Sequence, residues 1–292
     1  MSRIEKILEK AAEIKESGRS AVVEEPAYHA PKVPFTGFET GERLVDKDTV
    51  DKHIVCITDP NSVAAEQFKK LRSRVLKATT ENFQNTIMVT SPDMGEGKTI
   101  TAMNLAVSLS HEIDHTVLLV DTDLRHPSVQ KYLGIETCQG LSDYLTGRAE
   151  LSRVMIKTGI GKLVFIPAGS VVENTAELLS SEKMRLLVHE LKHRYKDRYI
   201  IFDSSPLLVT SDSLLMSSYV DGVLLVIQAD RTTPKAALHA MSQIKGSNIL
   251  GVVFNNVSKY LANNLYPYYY LYGKEGYYKR PIDSGGDKNN IP

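Results

Sequence analysis

The chain has 292 residues, of which 42% are apolar and 24% charged, and its 35 basic and 35 acidic side chains cancel at neutral pH. That balance is typical of a soluble globular protein and excludes a general nucleic-acid binder or a strongly basic membrane-surface protein. The length suits one large α/β domain with appendages, or two small domains.

In chain order, MSRIEKILEKAAEIKES spaces Ile4, Ile7, Leu8, Ala11 and Ile14 at i, i+3, i+4 intervals, predicting an amphipathic helix over 1–17. Its other face balances Arg3, Lys6, Lys10 and Lys15 against Glu5, Glu9, Glu13 and Glu16. A helix for anionic lipid carries excess positive charge, so this one fits a partner-protein groove or packs on its own domain. Residues 18–50, with Gly18, Pro26, Pro31, Pro34, Gly37 and Gly41, read as a linker.

From 51 the pattern becomes regular. Short, near-continuous apolar runs at 53–57, 86–90, 116–121, 163–167, 199–203, 222–227 and 249–254 read as strands covered on both faces. Helical segments fall at 62–79, 99–111, 182–196, 211–218 and 234–246. This alternation predicts a doubly wound, mostly parallel α/β sheet over 51–262, followed by a flexible tail over 263–292. The tail carries Tyr266, Tyr268, Tyr269, Tyr270, Tyr272, Tyr277 and Tyr278, interrupted by Pro267, glycines and charges, and ends in a polar SGGDKNN stretch.

Apolar runs such as VLLVI (223–227) fall far short of the ~20 residues needed to span a bilayer. The N-terminus lacks the apolar core of a signal peptide. A cytoplasmic protein is expected, held at any membrane by something else. Cys56 and Cys138 fit neither a disulfide framework nor a metal spacing and read as buried thiols. The eight histidines form no HExxH-type cluster, so no metal site built from protein side chains is expected.

The chemistry-bearing motif is SPDMGEGKT (91–99), between the run TIMVT and a helical segment. That is the strand–loop–helix context of a phosphate-binding P-loop. Gly95 and Gly97 allow backbone N–H groups to turn around phosphate oxygens, and the helix N-terminus adds its dipole. Met94, Gly95, Glu96, Gly97, Lys98, Thr99 and Ile100 are the candidate nucleotide-binding positions, with Lys98 reaching the β/γ-phosphates and Thr99 ligating Mg²⁺. Pro92 stands where the GxxxxGK[ST] pattern has its first glycine. Asp121 and Asp123 end one apolar run and Asp203 ends another, so all three acids can converge on the phosphates. Asp212 reads as a helix cap or turn former. No NKxD motif is present, which favours ATP over GTP.

A P-loop, then DTDLRHP, then FDSSP resembles the deviant-Walker ATPases of the MinD/ParA class. That class has KGGxGKT, and Asp93 occupies the place of its signature lysine. Loss of that lysine with retention of the other motifs resembles the bacterial tyrosine autokinases of exopolysaccharide synthesis. DPNSVAAEQFKKLRSRV (59–75), GLSDYLTG (140–147), IPAGSVVENTAELLSSEKM (166–184) and GVVFNN (251–256) are similar to further stretches of that family, with Thr175 where proline is usual. The MSRIEKILEKA opening resembles the subgroup found beside exosortase-type export loci.

The resemblance implies an ATP:protein-tyrosine phosphotransferase using ATP and Mg²⁺. Lys98 and Thr99 would hold phosphate and metal, and Asp203 would orient the metal. Asp121 and Asp123 would share metal positioning and activation of the tyrosine hydroxyl, with Asp121 favoured as the base. Asn255 would lie near adenine, and Arg125 would neutralise transition-state charge or serve a cap or salt bridge. Glu66, Lys69 and Arg72 fall on a subunit-contact motif whose middle arginine is here lysine. A ring-like homo-oligomer phosphorylating neighbouring tails is thereby implied, activated by a membrane-embedded polysaccharide co-polymerase. A MinD/ParA-like switch or scaffold without kinase activity is the alternative, and a small-molecule P-loop enzyme a third reading that leaves the tyrosines unexplained.

Overall fold

The computed structural model describes residues 41–257, apart from 43, 82, 137, 138 and 196. The expected N-terminal helix, most of the linker, Cys138 and the tyrosine cluster lie outside the described residues. Eight strands form one sheet: β1 Gly41–Glu42, β2 Thr86–Thr90, β3 Thr116–Asp121, β4 Ile156–Lys157, β5 Leu163–Ile166, β6 Arg198–Asp203, β7 Gly222–Gln228 and β8 Ile249–Asn255. Their order is β1-β4-β5-β3-β6-β2-β7-β8. All neighbours are parallel except β4 and β5, so the expected doubly wound, mostly parallel sheet is what forms.

Alternating side chains supply two cores. Ile87, Val89, Val117, Leu119, Tyr199 and Ile201 face one layer, while Met88, Leu118, Val120, Ile200 and Phe202 face the other. On the first side lies α3 (Lys98–Ser110), which is buried almost all round, as a helix between other layers must be. On the second lie α8 (Glu182–Arg194) and α10 (Pro234–Gln243), which contribute Met184, Leu187, Leu191, Ala237 and Met241. Each fully buried Leu or Ile contributes on the order of 1.5–3 kcal/mol, which explains why the central strands are uninterrupted apolar runs.

Two expectations are corrected. HIVCI is not a strand: Val55–Thr58 forms the short helix α1. The cause is Asn104, fully buried in α3, whose Oδ1 accepts from Cys56 N–H at 3.0 Å and whose Nδ2 donates to the His53 carbonyl at 3.0 Å. With those backbone groups taken by a side chain and only Ile54 fully buried, the run has no ladder to join. The Cys56 thiol there is half-buried and pushed up to about 11, chiefly by burial. In addition, residues 41–50, inside the stretch read as linker, carry β1, which pairs with Ile156 and Lys157, and a 3-10 turn at Lys47–Thr49 capped by Asp46.

Candidate active site

The strand order reverses at β2. The chain passes from β2 to β3 on one side and later adds β7 and β8 on the other. Such a reversal opens a crevice at the strand C-termini, and the loop 91–97 fills it. Gly95 and Gly97 have φ of 75° and 93°, left-handed values that a side chain would strain. Gly97 also has no room for one, since a Cβ would lie 2.0 Å from the Asn255 amide nitrogen.

Within the loop, the N–H of Asp93 is taken by Glu96 Oε2 at 2.9 Å and that of Met94 by Asp93 Oδ1 at 2.7 Å. Met94 therefore offers phosphate no N–H, and its side chain is exposed. Ile100, an apolar residue in the first turn of α3, has no side-chain donor. Gly95, Glu96, Gly97, Lys98, Thr99 and Ile100 remain as the positions able to present N–H groups, with side chains added at Lys98 and Thr99.

β3 and β6 deliver the acids. Asp121 and Asp203 are Cα partners across the two strands, and with Asp123 they are essentially excluded from solvent. Lys98 Nζ sits 2.8 Å from Asp123 Oδ2 and 4.0 Å from Asp203 Oδ1. It also donates to the Thr99 hydroxyl at 3.3 Å. Burial works to lower the Lys98 pKa, but Asp203 and Asp123 outweigh it and the net direction is upward.

Asp121 is held by backbone: Oδ1 accepts from Asp123 N–H at 3.1 Å, and Oδ2 from Ser128 and Val129 N–H at 3.2 and 3.3 Å. Burial, followed by repulsion from Asp203 and Asp123, nonetheless drives its pKa well above the usual carboxylate range. Asp203 is pushed up to about 6 by burial against the opposing pull of Lys98. Neither of its carboxylate oxygens has a hydrogen-bond partner within 3.5 Å, although the Thr99 hydroxyl stands near enough to favour the charged form. A buried carboxylate with both oxygens open is costly unless a cation completes it, and with the Thr99 hydroxyl and Asp121 it forms a fitting oxygen donor set for Mg²⁺. Among the described residues, no three His, Cys, Asp or Glu side chains gather closely enough to hold a metal alone. A magnesium ion held there would take its remaining ligands from phosphate and water, the usual arrangement for magnesium at nucleotides.

Other candidates are engaged differently. The Arg125 guanidinium makes a bidentate pair with buried Asp212, Nε at 2.9 Å and Nη2 at 3.1 Å. Of its alternatives the salt bridge is the one formed, and Asp212 is the partner rather than a free helix cap. Thr175, at the usual proline position, donates its hydroxyl to Asp212 at 2.9 Å. Asn255 meets the loop, donating from Nδ2 to the Glu96 carbonyl at 2.9 Å. Lys69 pairs with Glu66 at 3.1 Å on an exposed face, while Arg72 pairs with Glu112 at 2.8 Å and donates to the Ser108 carbonyl at 3.0 Å.

Sequence reasoning missed Arg231 and Thr232. Arg231 donates to the Met94 and Gly95 carbonyls at 3.0 and 3.3 Å, and Thr232 donates to Glu96 Oε1. Their signal was the polar QADRTT stretch closing the β7 run, at the same sheet end as the P-loop.

A family model described as an AAA domain matches residues 84–248. The chain is 31% identical over 222 residues to tyrosine-protein kinase YwqD of Bacillus subtilis, spanning 75% of this chain and 92% of that one. It is 31% identical over 216 residues to tyrosine-protein kinase etk of Escherichia coli, covering 73% of this chain and 29% of that longer protein. The solved kinase domain of Escherichia coli tyrosine kinase ETK superposes with a TM-score of 0.65 at 30% identity, over 70% of this chain and 82% of that domain. At 31% identity to a tyrosine-protein kinase of which it covers 92%, and with the fold of a solved kinase domain, the chain belongs to the bacterial tyrosine-protein kinase family.

Proposed function

We propose that the protein is an ATP-dependent tyrosine autokinase that phosphorylates Tyr266, Tyr268, Tyr269, Tyr270, Tyr272, Tyr277 and Tyr278 on neighbouring copies of itself. The observation that carries this is the buried cluster of Lys98 with Asp121, Asp123 and Asp203 at the head of the P-loop, in a chain with seven tyrosines in thirteen residues outside it. Phosphoryl transfer depends mainly on positioning and charge neutralisation, and the cluster supplies both.

In the transfer, a tyrosine oxygen forms a bond to the γ-phosphorus as the bond to the β,γ-bridging oxygen breaks and ADP departs with that electron pair. The phenolic proton goes to a strand-end carboxylate. Asp121 is favoured for that role over Asp123, whose Oδ2 is tied to Lys98. Lys98 binds the β/γ-phosphates, and N–H groups from Gly95 onward cradle them. Magnesium, when bound, would neutralise charge on the β- and γ-phosphates, and Thr99, Asp121 and Asp203 are the residues to hold it.

Assembly would be a ring-like homo-oligomer contacting through Glu66, Lys69 and Arg72. No helix among the described residues is long and apolar enough to cross a membrane. In this reading the protein acts at the cytoplasmic face of a membrane in exopolysaccharide export, with a membrane-embedded co-polymerase as partner and activator. The opening MSRIEKILEKA supports the exosortase-associated branch. Pull-down from membranes tests the partnership: recovery of a chain-length regulator supports it, and its absence counts against it. A MinD/ParA-like switch would instead release phosphate to water without labelling tyrosine.

A further inference from the structure

Glu96 places a carboxylate in a loop that must receive a polyanion. It is nearly fully buried, and burial raises its pKa against two hydrogen bonds that lower it. The directions of those bonds are fixed. An ionised carboxylate only accepts, so the Thr232 hydroxyl, whose oxygen takes the Gln228 N–H at 2.8 Å, gives its proton to Glu96 Oε1. Oε2 accepts from Asp93 N–H at 2.9 Å. The carbonyl of the same residue accepts from Asn255 at 2.9 Å, and Arg231 takes the carbonyls of Met94 and Gly95.

Three successive carbonyls, 94 to 96, are thus drawn toward the turn after β7 and the end of β8. In a trans peptide the N–H of the next residue points opposite to the C=O. Holding those carbonyls outward therefore aims the N–H groups of Gly95, Glu96 and Gly97 the other way, as a phosphate cradle requires.

We propose that Glu96 is a positioning residue for the nucleotide: it bolts the phosphate loop to Thr232 and Asn255 and so fixes the direction of the cradle's N–H groups. This rests on the ATP-dependent reading above. The test uses the full chain, with a fluorescent ADP analogue and Mg²⁺ for affinity and ATP for phosphotyrosine formation. Glu96→Ala should weaken nucleotide binding about tenfold, the equivalent of one charge-assisted hydrogen bond, and raise the KM for ATP in step. The kcat at saturating ATP should fall less than about threefold. Thr232→Val should show the same split. The double variant should be no weaker than Glu96→Ala, because both changes remove one interaction. Glu96→Gln can accept the Asp93 N–H with its amide oxygen and donate from its amide nitrogen to the Thr232 hydroxyl oxygen, so it should keep the link to Thr232 and recover most of the affinity.

Binding within twofold of wild type in Glu96→Ala, whatever happens to its thermal stability, would overturn the proposal. So would an additive double variant. If Glu96→Ala does not fold, Thr232→Val decides by the same threshold. Nucleotide binding by wild type without phosphotyrosine would overturn the kinase reading and leave the role of Glu96 to stand. No nucleotide binding by wild type would overturn both.

Discussion

Asp121 and Asp203 are Cα partners on neighbouring parallel strands, both fully buried and both with proton affinity raised above the usual carboxylate range. Two acids at one level of a sheet repel, and Lys98 offsets that repulsion in part. The arrangement costs stability in the absence of ligand, as charge clusters at functional sites commonly do.

That cost can be measured. The pKa of Asp203 in the fold, about 6, exceeds its unfolded value of about 3.9. Its favourable contribution is therefore complete below about pH 3.9 and is lost as pH rises through about 6. At pH 8 the buried charge costs up to about 3 kcal/mol, from roughly 1.4 kcal/mol per unit of pKa. Asp203→Asn should raise Tm at pH 8, by roughly 2–4 °C per kcal/mol, with the gain shrinking through pH 6 and vanishing near pH 4. Tyrosine phosphorylation should fall by about 100-fold or more. Calorimetry across pH without nucleotide checks the first part, and a Tm unchanged at pH 8 would contradict it.

Gly97→Ala should disable the loop without unfolding the sheet. An L-residue at φ 93° is strained by about 1–2 kcal/mol, and its methyl would displace the Asn255 amide. Nucleotide affinity should drop at least about tenfold while far-ultraviolet circular dichroism is unchanged. Titration with labelled ADP reads the outcome, and wild-type affinity would refute it.

Arg125 should act through structure. Arg125→Lys keeps the charge but loses the two-pronged grip on Asp212. Because the arginine side chain is 38% exposed, the expected loss is moderate, about 1–2 kcal/mol in denaturant unfolding. Arg125→Ala, which leaves a buried carboxylate to Thr175 alone, should lose more. If both variants keep wild-type stability but lose kcat, Arg125 acts on the phosphate instead.

The strands that build the site were legible because burial on both faces leaves runs such as TIMVT and TVLLVD with no polar interruption inside the sheet. HIVCI has the same composition, yet its fate is set by Asn104, 48 residues away from Cys56, and no local pattern carries that information. Strands of two residues, Gly41–Glu42 and Ile156–Lys157, are too short for any periodicity. In the site, the convergence of Lys98, Asp121, Asp123 and Asp203 was legible, because motif spacing alone puts them at neighbouring strand ends. Arg231, Thr232 and the Asp212 partnership of Arg125 were not, because their contacts cross 136, 136 and 87 residues of chain and exist only once the sheet order is formed.

The most direct test is incubation of the purified full chain with γ-labelled ATP and Mg²⁺, followed by phosphopeptide mapping of residues 260–280. Label on tyrosines between Tyr266 and Tyr278, abolished by Lys98→Met and by changing the clustered tyrosines to Phe, is the expected result. Phosphate released to water with no labelled tyrosine would contradict the autokinase assignment.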